Sequence, residues 1–206
     1  MASNFPALLV DFGGVLTNSV TAVLEGFCVA NGLAPDAFTA LQNSEGPHSQ
    51  HFHAYERGEI DAEEFMPQLS VWLDTPMERL EGMLDNLEVD PKMFAAVGEL
   101  RDRGVPTCLL SNSWGTAVYP MKELRAVFDD IVISELVGMR KPEPRIYEHA
   151  ASLMDRAPDN CVFLDDTLAN VVAAEGLGMT GIHVTARRFT LDSLQRIYGQ
   201  DLAAFY

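Results

Sequence analysis

Five short apolar runs, four of them ending in polar residues and most of them separated by segments of helical periodicity, constrain this chain more than any other feature. The runs are Ala7 to Asp11, Thr107 to Leu110, Asp130 to Ile133, Cys161 to Leu164 and Gly181 to Val184. Between them, Pro91 to Arg103, Thr116 to Arg125, Pro144 to Met154 and Leu168 to Leu177 carry apolar residues at roughly helical spacing. Such alternation predicts βαβ units and a parallel sheet flanked by helices, an α/β Rossmann-like core. Ligands of open α/β sheets bind beyond the carboxyl ends of the strands. The polar residues at those ends, Asp11, Ser111-Asn112-Ser113 and Asp165-Asp166, are therefore the first candidates for chemistry, with Lys141-Pro142 shortly after the third run.

The interval from Thr17 to Glu88 breaks the alternation. It contains helical patterns at Ser19 to Asn31, Pro35 to Gln42, His51 to Arg57, Asp61 to Leu73 and Met77 to Asp85, punctuated by Gly32, Gly46-Pro47, Gly58 and Pro76, and no convincing strand. This predicts an inserted helical cap at 17–88 and a core built from 1–16 and 89–206.

Charge and composition narrow the classes of partner. At 206 residues, 48% hydrophobic and 21% charged, the chain can bury a sizeable core. A net charge of −16 argues against extended contact with nucleic acid, which needs clustered Lys and Arg. An anionic substrate would then need cations supplied locally, by Lys141 or a metal ion. No run approaches the ~20 apolar residues of a membrane span, and Met1-Ala-Ser-Asn4 lacks the basic start of a leader, so the expected location is the cytoplasm, with no membrane partner. Cys28, Cys108 and Cys161 are odd in number, widely spaced and set in apolar segments, as buried free thiols are.

Four motifs in order carry a family resemblance. DFGGVLT at Asp11 to Thr17, CLLSNS at Cys108 to Ser113, GMRKPEPRIYEHA around Lys141 and VFLDDTLANVVAA around Asp165-Asp166 resemble the haloacid dehalogenase superfamily, most of whose members are magnesium-dependent phosphatases on a Rossmann-like core. The resemblance implies Asp11 as nucleophile and Ser111, with the backbone near Asn112, as phosphate ligands. It implies Lys141 as the balancing charge and Mg²⁺ held by Asp11, the Gly13 carbonyl, Asp166 and Asp165, with Asp166 the more direct ligand of the pair. The physical reading agrees. A carboxylate attacks phosphorus only when aligned and when cations neutralise the phosphoryl oxygens, and Mg²⁺ takes oxygen ligands from one or two carboxylates plus waters and substrate.

The chain departs from the family at Gly13, where the usual motif carries a second Asp that protonates the leaving oxygen and later activates water. Glycine keeps the backbone carbonyl and loses the proton, a step worth ~10²–10⁴-fold. The expected enzyme therefore hydrolyses a small phosphorylated metabolite and prefers acyl, anomeric or aryl phosphates, sugar phosphates included, over alkyl ones. Histidines 48, 51 and 53, close together in the cap, are candidate replacement proton donors. Tyr55-Glu-Arg-Gly-Glu-Ile60 resembles a recurring cap segment of structural character, and Trp72 and Trp114 are expected to pack, Trp114 at the edge of the pocket. The alternatives are a dehalogenase, which needs no magnesium and leaves the paired acids unexplained, and a non-catalytic phosphatase-like binding domain, which Gly13 favours.

Overall fold

The computed structural model describes residues 5–206, so the Met1–Asn4 stretch read above for a leader lies outside the described residues. Five parallel strands form one sheet: β1 (Ala7–Val10), β2 (Thr107–Ser111), β3 (Asp130–Ile133), β4 (Cys161–Asp165) and β5 (Thr180–His183), in the order β3-β2-β1-β4-β5. β1 pairs with both β2 and β4, Leu9 lying opposite Cys108 on one side and Phe163 on the other. The central strand is wholly buried because helices cover both faces, which is why its sequence is a continuous apolar run rather than an alternating one. Successive side chains point to opposite faces. Leu8 and Val10 accordingly join the apolar cluster with Val97, Leu100 and Leu194, while Ala7 and Leu9 join the one with Ile146, Tyr147 and Phe163.

The helices of the core are α6 (Pro91–Asp102), α7 (Met121–Val127), α8 (Ser134–Val137), α9 (Pro144–Leu153), α10 (Leu168–Gly176) and α11 (Arg187–Tyr198). Those preceding α6 are α1 (Val20–Ala30), α2 (Ala37–Gln42), α3 (Pro47–Glu56), α4 (Ala62–Trp72) and α5 (Met77–Leu80). All five predicted strands are present. The predicted helix from Thr116 to Arg125 is instead a 3₁₀ turn at Thr116–Val118 followed by α7, because Pro120, lacking an N–H, starts a new helix rather than continuing one. Helices α8 and α11 fall outside the alternation read from the sequence. The last of these packs Leu191, Leu194 and Tyr198 into the core.

Helices α1 to α5 have an apolar cluster of their own, in which Phe38, Phe52, Phe65, Leu69 and Leu80 are buried. The chain leaves and re-enters the sheet layer at one place: Thr17 and Val89 form an antiparallel bridge, Asp90 N–H donates to Leu16 O at 2.8 Å and Asn18 N–H to Glu88 O at 2.9 Å. Cys28, Cys108 and Cys161 are free and buried. Among the described residues no helix is long and apolar enough to cross a membrane.

Candidate active site

The order of the strands reverses between β1 and β4, and the carboxyl ends of these two strands bring the acids together. β1 ends at Val10, and Asp11 follows it with its N–H still on Leu164 O of β4 at 2.9 Å. One carboxylate oxygen from each of Asp11, Asp165 and Asp166 lies within 4.8 Å of the others. Repulsion among three acids is offset by Lys141, 1% exposed, whose Nζ sits 2.8 Å from Asp11 Oδ1 and 2.6 Å from Asp165 Oδ2. Removing such a cation would leave buried carboxylates uncompensated, typically ~3–5 kcal/mol of stability.

The two adjacent acids have different surroundings. Asp165 is fully buried and its oxygens are taken up, by Lys141, by Thr167 N–H at 2.7 Å and by Asn170 Nδ2 at 3.1 Å. Asp166 lines the cavity above, and its carboxylate rests on the backbone of Gly14, where a β-carbon would stand 2.0 Å from Asp166 Oδ2. Gly14 has φ +70°, a second reason for glycine there. Burial raises the Asp166 carboxyl above the usual range and Asp165 adds to the rise, while Lys141 opposes it. Burial pushes Asp11 up as well, to about 8, against the pull of Lys141.

Lys141 reaches this position because its backbone is clamped. Asn112, just past β2, accepts from Lys141 N–H through Oδ1 at 2.8 Å and donates to Lys141 O through Nδ2 at 3.0 Å. The Asn112 side chain therefore sets the lysine loop, a role distinct from the anion-binding turn expected of its backbone. Ser111 is buried at the end of β2 with its Oγ 2.9 Å from the Tyr119 hydroxyl, which also reaches Asn112 O at 3.2 Å. Tyr119 was not legible as a site residue. It lies past a turn, and only the fold sets it against Ser111 and the Phe12 ring, whose centroid is 4.9 Å away.

A cavity of about 520 Å³ opens over these groups, with Asp11, Ser111, Lys141 and Asp166 at its floor and residues of α1, α2 and α3 at its walls. Gly13 and Trp114 line it, and Trp114 also packs its ring against Phe38 and Phe52. Of the three clustered histidines, His53 lines the cavity. His48 and His51 instead pack their rings on Trp72, and His51 also stacks on Phe65. Burial and the charges of Arg140 and Arg57 hold His53 below the usual imidazole range, which favours its neutral form.

The haloacid dehalogenase-like hydrolase model matches residues 5–178. Sesquiterpene phosphatase astK of Aspergillus oryzae is 27% identical over 97% of this chain and all of its own length. Against two other curated relatives the chain spans only 19% and 23% of their length. A HAD-like family hydrolase structure from Porphyromonas gingivalis superposes with a TM-score of 0.71 at 21% identity, covering 97% of this chain and 100% of that one. A HAD family enzyme from Bacteroides thetaiotaomicron, solved as an Asp-to-Ala mutant with magnesium and inorganic phosphate, gives 0.66 at 22% identity over 89% and 96%. The family match runs from ahead of β1 to just past α10, through every strand but β5 and through all four polar groups at the cavity floor. The chain belongs to the haloacid dehalogenase-like hydrolase family.

Proposed function

We propose that this hydrolase is a magnesium-dependent phosphatase of small phosphorylated metabolites, with Asp11 as nucleophile and residues 17–88 acting as a cap domain over the substrate. The observation that carries the reading is Lys141 Nζ between Asp11 and Asp165 beneath a cavity lined by Asp166 and Ser111. The likeness to sesquiterpene phosphatase astK of Aspergillus oryzae over nearly the whole chain supports it.

The donor set fits a hard cation, being all oxygen and compact: Asp11, Asp166 and the adjacent Asp165, with Gly13, whose carbonyl would be the fourth donor, in the lining of the same cavity. When bound, Mg²⁺ would neutralise phosphoryl oxygens and the clustered carboxylates. Asp11 attacks phosphorus, the bond to the leaving oxygen breaks, and an aspartyl phosphate forms. Water then attacks that phosphorus, the bond to Asp11 breaks, and inorganic phosphate leaves with the carboxylate restored. Ser111 donates its hydroxyl to a phosphoryl oxygen, and Tyr119 orients that hydroxyl. Lys141 holds the Asp11 carboxylate and balances charge.

No side chain at Gly13 protonates the leaving group, so leaving groups that depart as weak bases are favoured. Phosphate release measured across acyl, anomeric, aryl and alkyl monophosphates with Mg²⁺ is expected to fall steeply toward the alkyl members, by about 10²-fold or more. Equal rates across the series would overturn the leaving-group preference.

The metal-free protein offers a readout that does not depend on turnover. Folded Asp11 holds its proton up to about 8, against 3.8 for an ordinary Asp. The stability it contributes is fully present below pH 3.8 and is lost as pH rises toward about 8. In chelator, Tm is expected to fall between pH 5.5 and 8.5, and added Mg²⁺ to raise Tm more at the higher pH, by at least about 2–4 °C. A Mg²⁺ effect absent at both pH values would remove the metal site.

A further inference from the structure

Arg140 precedes Lys141 in the chain and lines the same cavity. Its guanidinium is held by Nε, which donates to Glu56 Oε2 at the end of α3; the other Glu56 oxygen accepts from Gln42 Nε2 at 3.4 Å. Glu56 is 3% exposed and the Arg140 side chain 12%, so this ion pair is set in the wall rather than on the outer surface. The pair joins the sheet layer to α3 beside a second contact between them, the Ser134 hydroxyl on Glu56 O. Among the described residues Nε carries the only ion pair of Arg140. Its Nη nitrogens make no hydrogen bond or ion pair among the described residues, and the residue stands in the cavity lining. Arg57 next door is occupied by Glu59 and Glu143.

We propose that Arg140 is the leaving-group recognition residue of this site, set in place by Glu56, and that it selects monophosphates whose leaving group is uncharged and rich in hydroxyls. This rests on the phosphatase reading above and adds to it a residue and a substrate class. Arg140 follows from the fold as the residue beside the lysine that contacts Asp11, in the lining of the same cavity and reaching across to α3. Its Nη groups donate to hydroxyl or ring oxygens, and Thr39, Gln42 and Asn43 on the same wall both donate and accept. An apolar leaving group would cover those donors without pairing them, a mismatch that hydrogen-bonding sites discriminate against strongly. A second anionic group is also disfavoured. Asp11, Asp166 and Glu56 face the cavity, Arg140 is already matched by Glu56, and Lys141 by Asp11 and Asp165.

The test compares kcat/KM with Mg²⁺ for a hexose 1-phosphate, a hexose 1,6-bisphosphate, farnesyl phosphate and acetyl phosphate, the last having a small leaving group without hydroxyls. The wild type is expected to favour the hexose monophosphate over the bisphosphate and over farnesyl phosphate by at least about tenfold. In Arg140→Met the ratio of hexose 1-phosphate to acetyl phosphate is expected to fall about 10–100-fold, mainly through KM. Glu56→Gln, acting through the arginine, is expected to produce a smaller fall of the same ratio. Because Arg140→Met leaves Glu56 buried without its partner, the paired Arg140→Met/Glu56→Gln variant removes both charges and carries the decision on the same ratio. An unchanged ratio in the paired variant, or a wild type that prefers the bisphosphate or farnesyl phosphate, would overturn the proposal. A wild type no more active than Asp11→Asn on all four would overturn the phosphatase reading beneath it.

Discussion

Asp11→Asn is expected to lower phosphate release by at least about 10⁴-fold, the scale of losing a nucleophile that acts as part of a unit, and to do so without unfolding the protein. Asparagine keeps the shape, and its Oδ1 can still accept the Phe12 N–H that Asp11 Oδ1 accepts at 2.7 Å. Lys141 retains Asp165 at 2.6 Å. The substitution removes one of three crowded carboxylates, whose burial raises the Asp11 carboxyl to about 8. The metal-free variant is therefore expected to be at least as stable as the wild type above neutral pH, a gain that shrinks as pH falls from about 8 and vanishes below 3.8, where Asp11 is protonated in the folded and the unfolded chain alike. Activity lost together with several degrees of Tm at pH 8 would assign Asp11 a structural role instead. Retained activity would exclude it as the nucleophile.

Restoring an acid at position 13 is expected to fail alone and to succeed only with a second change. A β-carbon on Gly13 would lie 2.7 Å from Val20 Cγ2, the first residue of α1. Valine in a helix has essentially one favoured χ1 and cannot swing aside cheaply. The space that an acid would need is thus filled by a methyl group from the helical segment, and Gly13→Asp by itself is expected to displace α1 and depress activity. In Gly13→Asp/Val20→Ala the methyl is gone. Hydrolysis of alkyl monophosphates by the double variant is expected to rise about 10²-fold over the wild type, toward the value of a positioned general acid, with a much smaller change for acyl phosphates, which need no proton. The measurement is kcat/KM on the two substrate types in the wild type and both variants. No gain for alkyl phosphates in the double variant would show that proton supply is not what limits this site.

How far these groups can be read from the chain depends on how local the physics is. Asp11, Ser111, Lys141 and the Asp165-Asp166 pair announce themselves because each lies beside an apolar strand or in a short motif, and strand ends are where an α/β sheet gathers its chemistry. The central strands β1, β2 and β4 were legible through burial on both faces, and the partly buried edge strands β3 and β5 as short runs between helical segments. Helix α11 was not, since its apolar residues Leu191, Leu194 and Tyr198 are interspersed with Arg, Asp and Gln along an exposed face. The division of labour between two neighbouring acids was likewise hidden: Asp165 is absorbed by Lys141, Asn170 and the Thr167 amide, while Asp166 is left on the cavity. Nor did proximity in sequence predict geometry for the histidines, of which His53 reaches the cavity and His48 and His51 are turned into the aromatic packing around Trp72.

By itself, the sequence determined the sheet, the run of helices between Thr17 and Glu88, the acids and lysine that gather at the strand ends, and the lack of a side chain at Gly13. These rest on periodicity and on short motifs, which act over a few residues. Tertiary structure alone decided that Val20 closes off Gly13, that Tyr119 holds Ser111, that Asn112 clamps the lysine loop, and that Glu56 presents Arg140 to the cavity. Each of those is a contact between residues of different elements, and packing in three dimensions has no counterpart in the spacing along the chain.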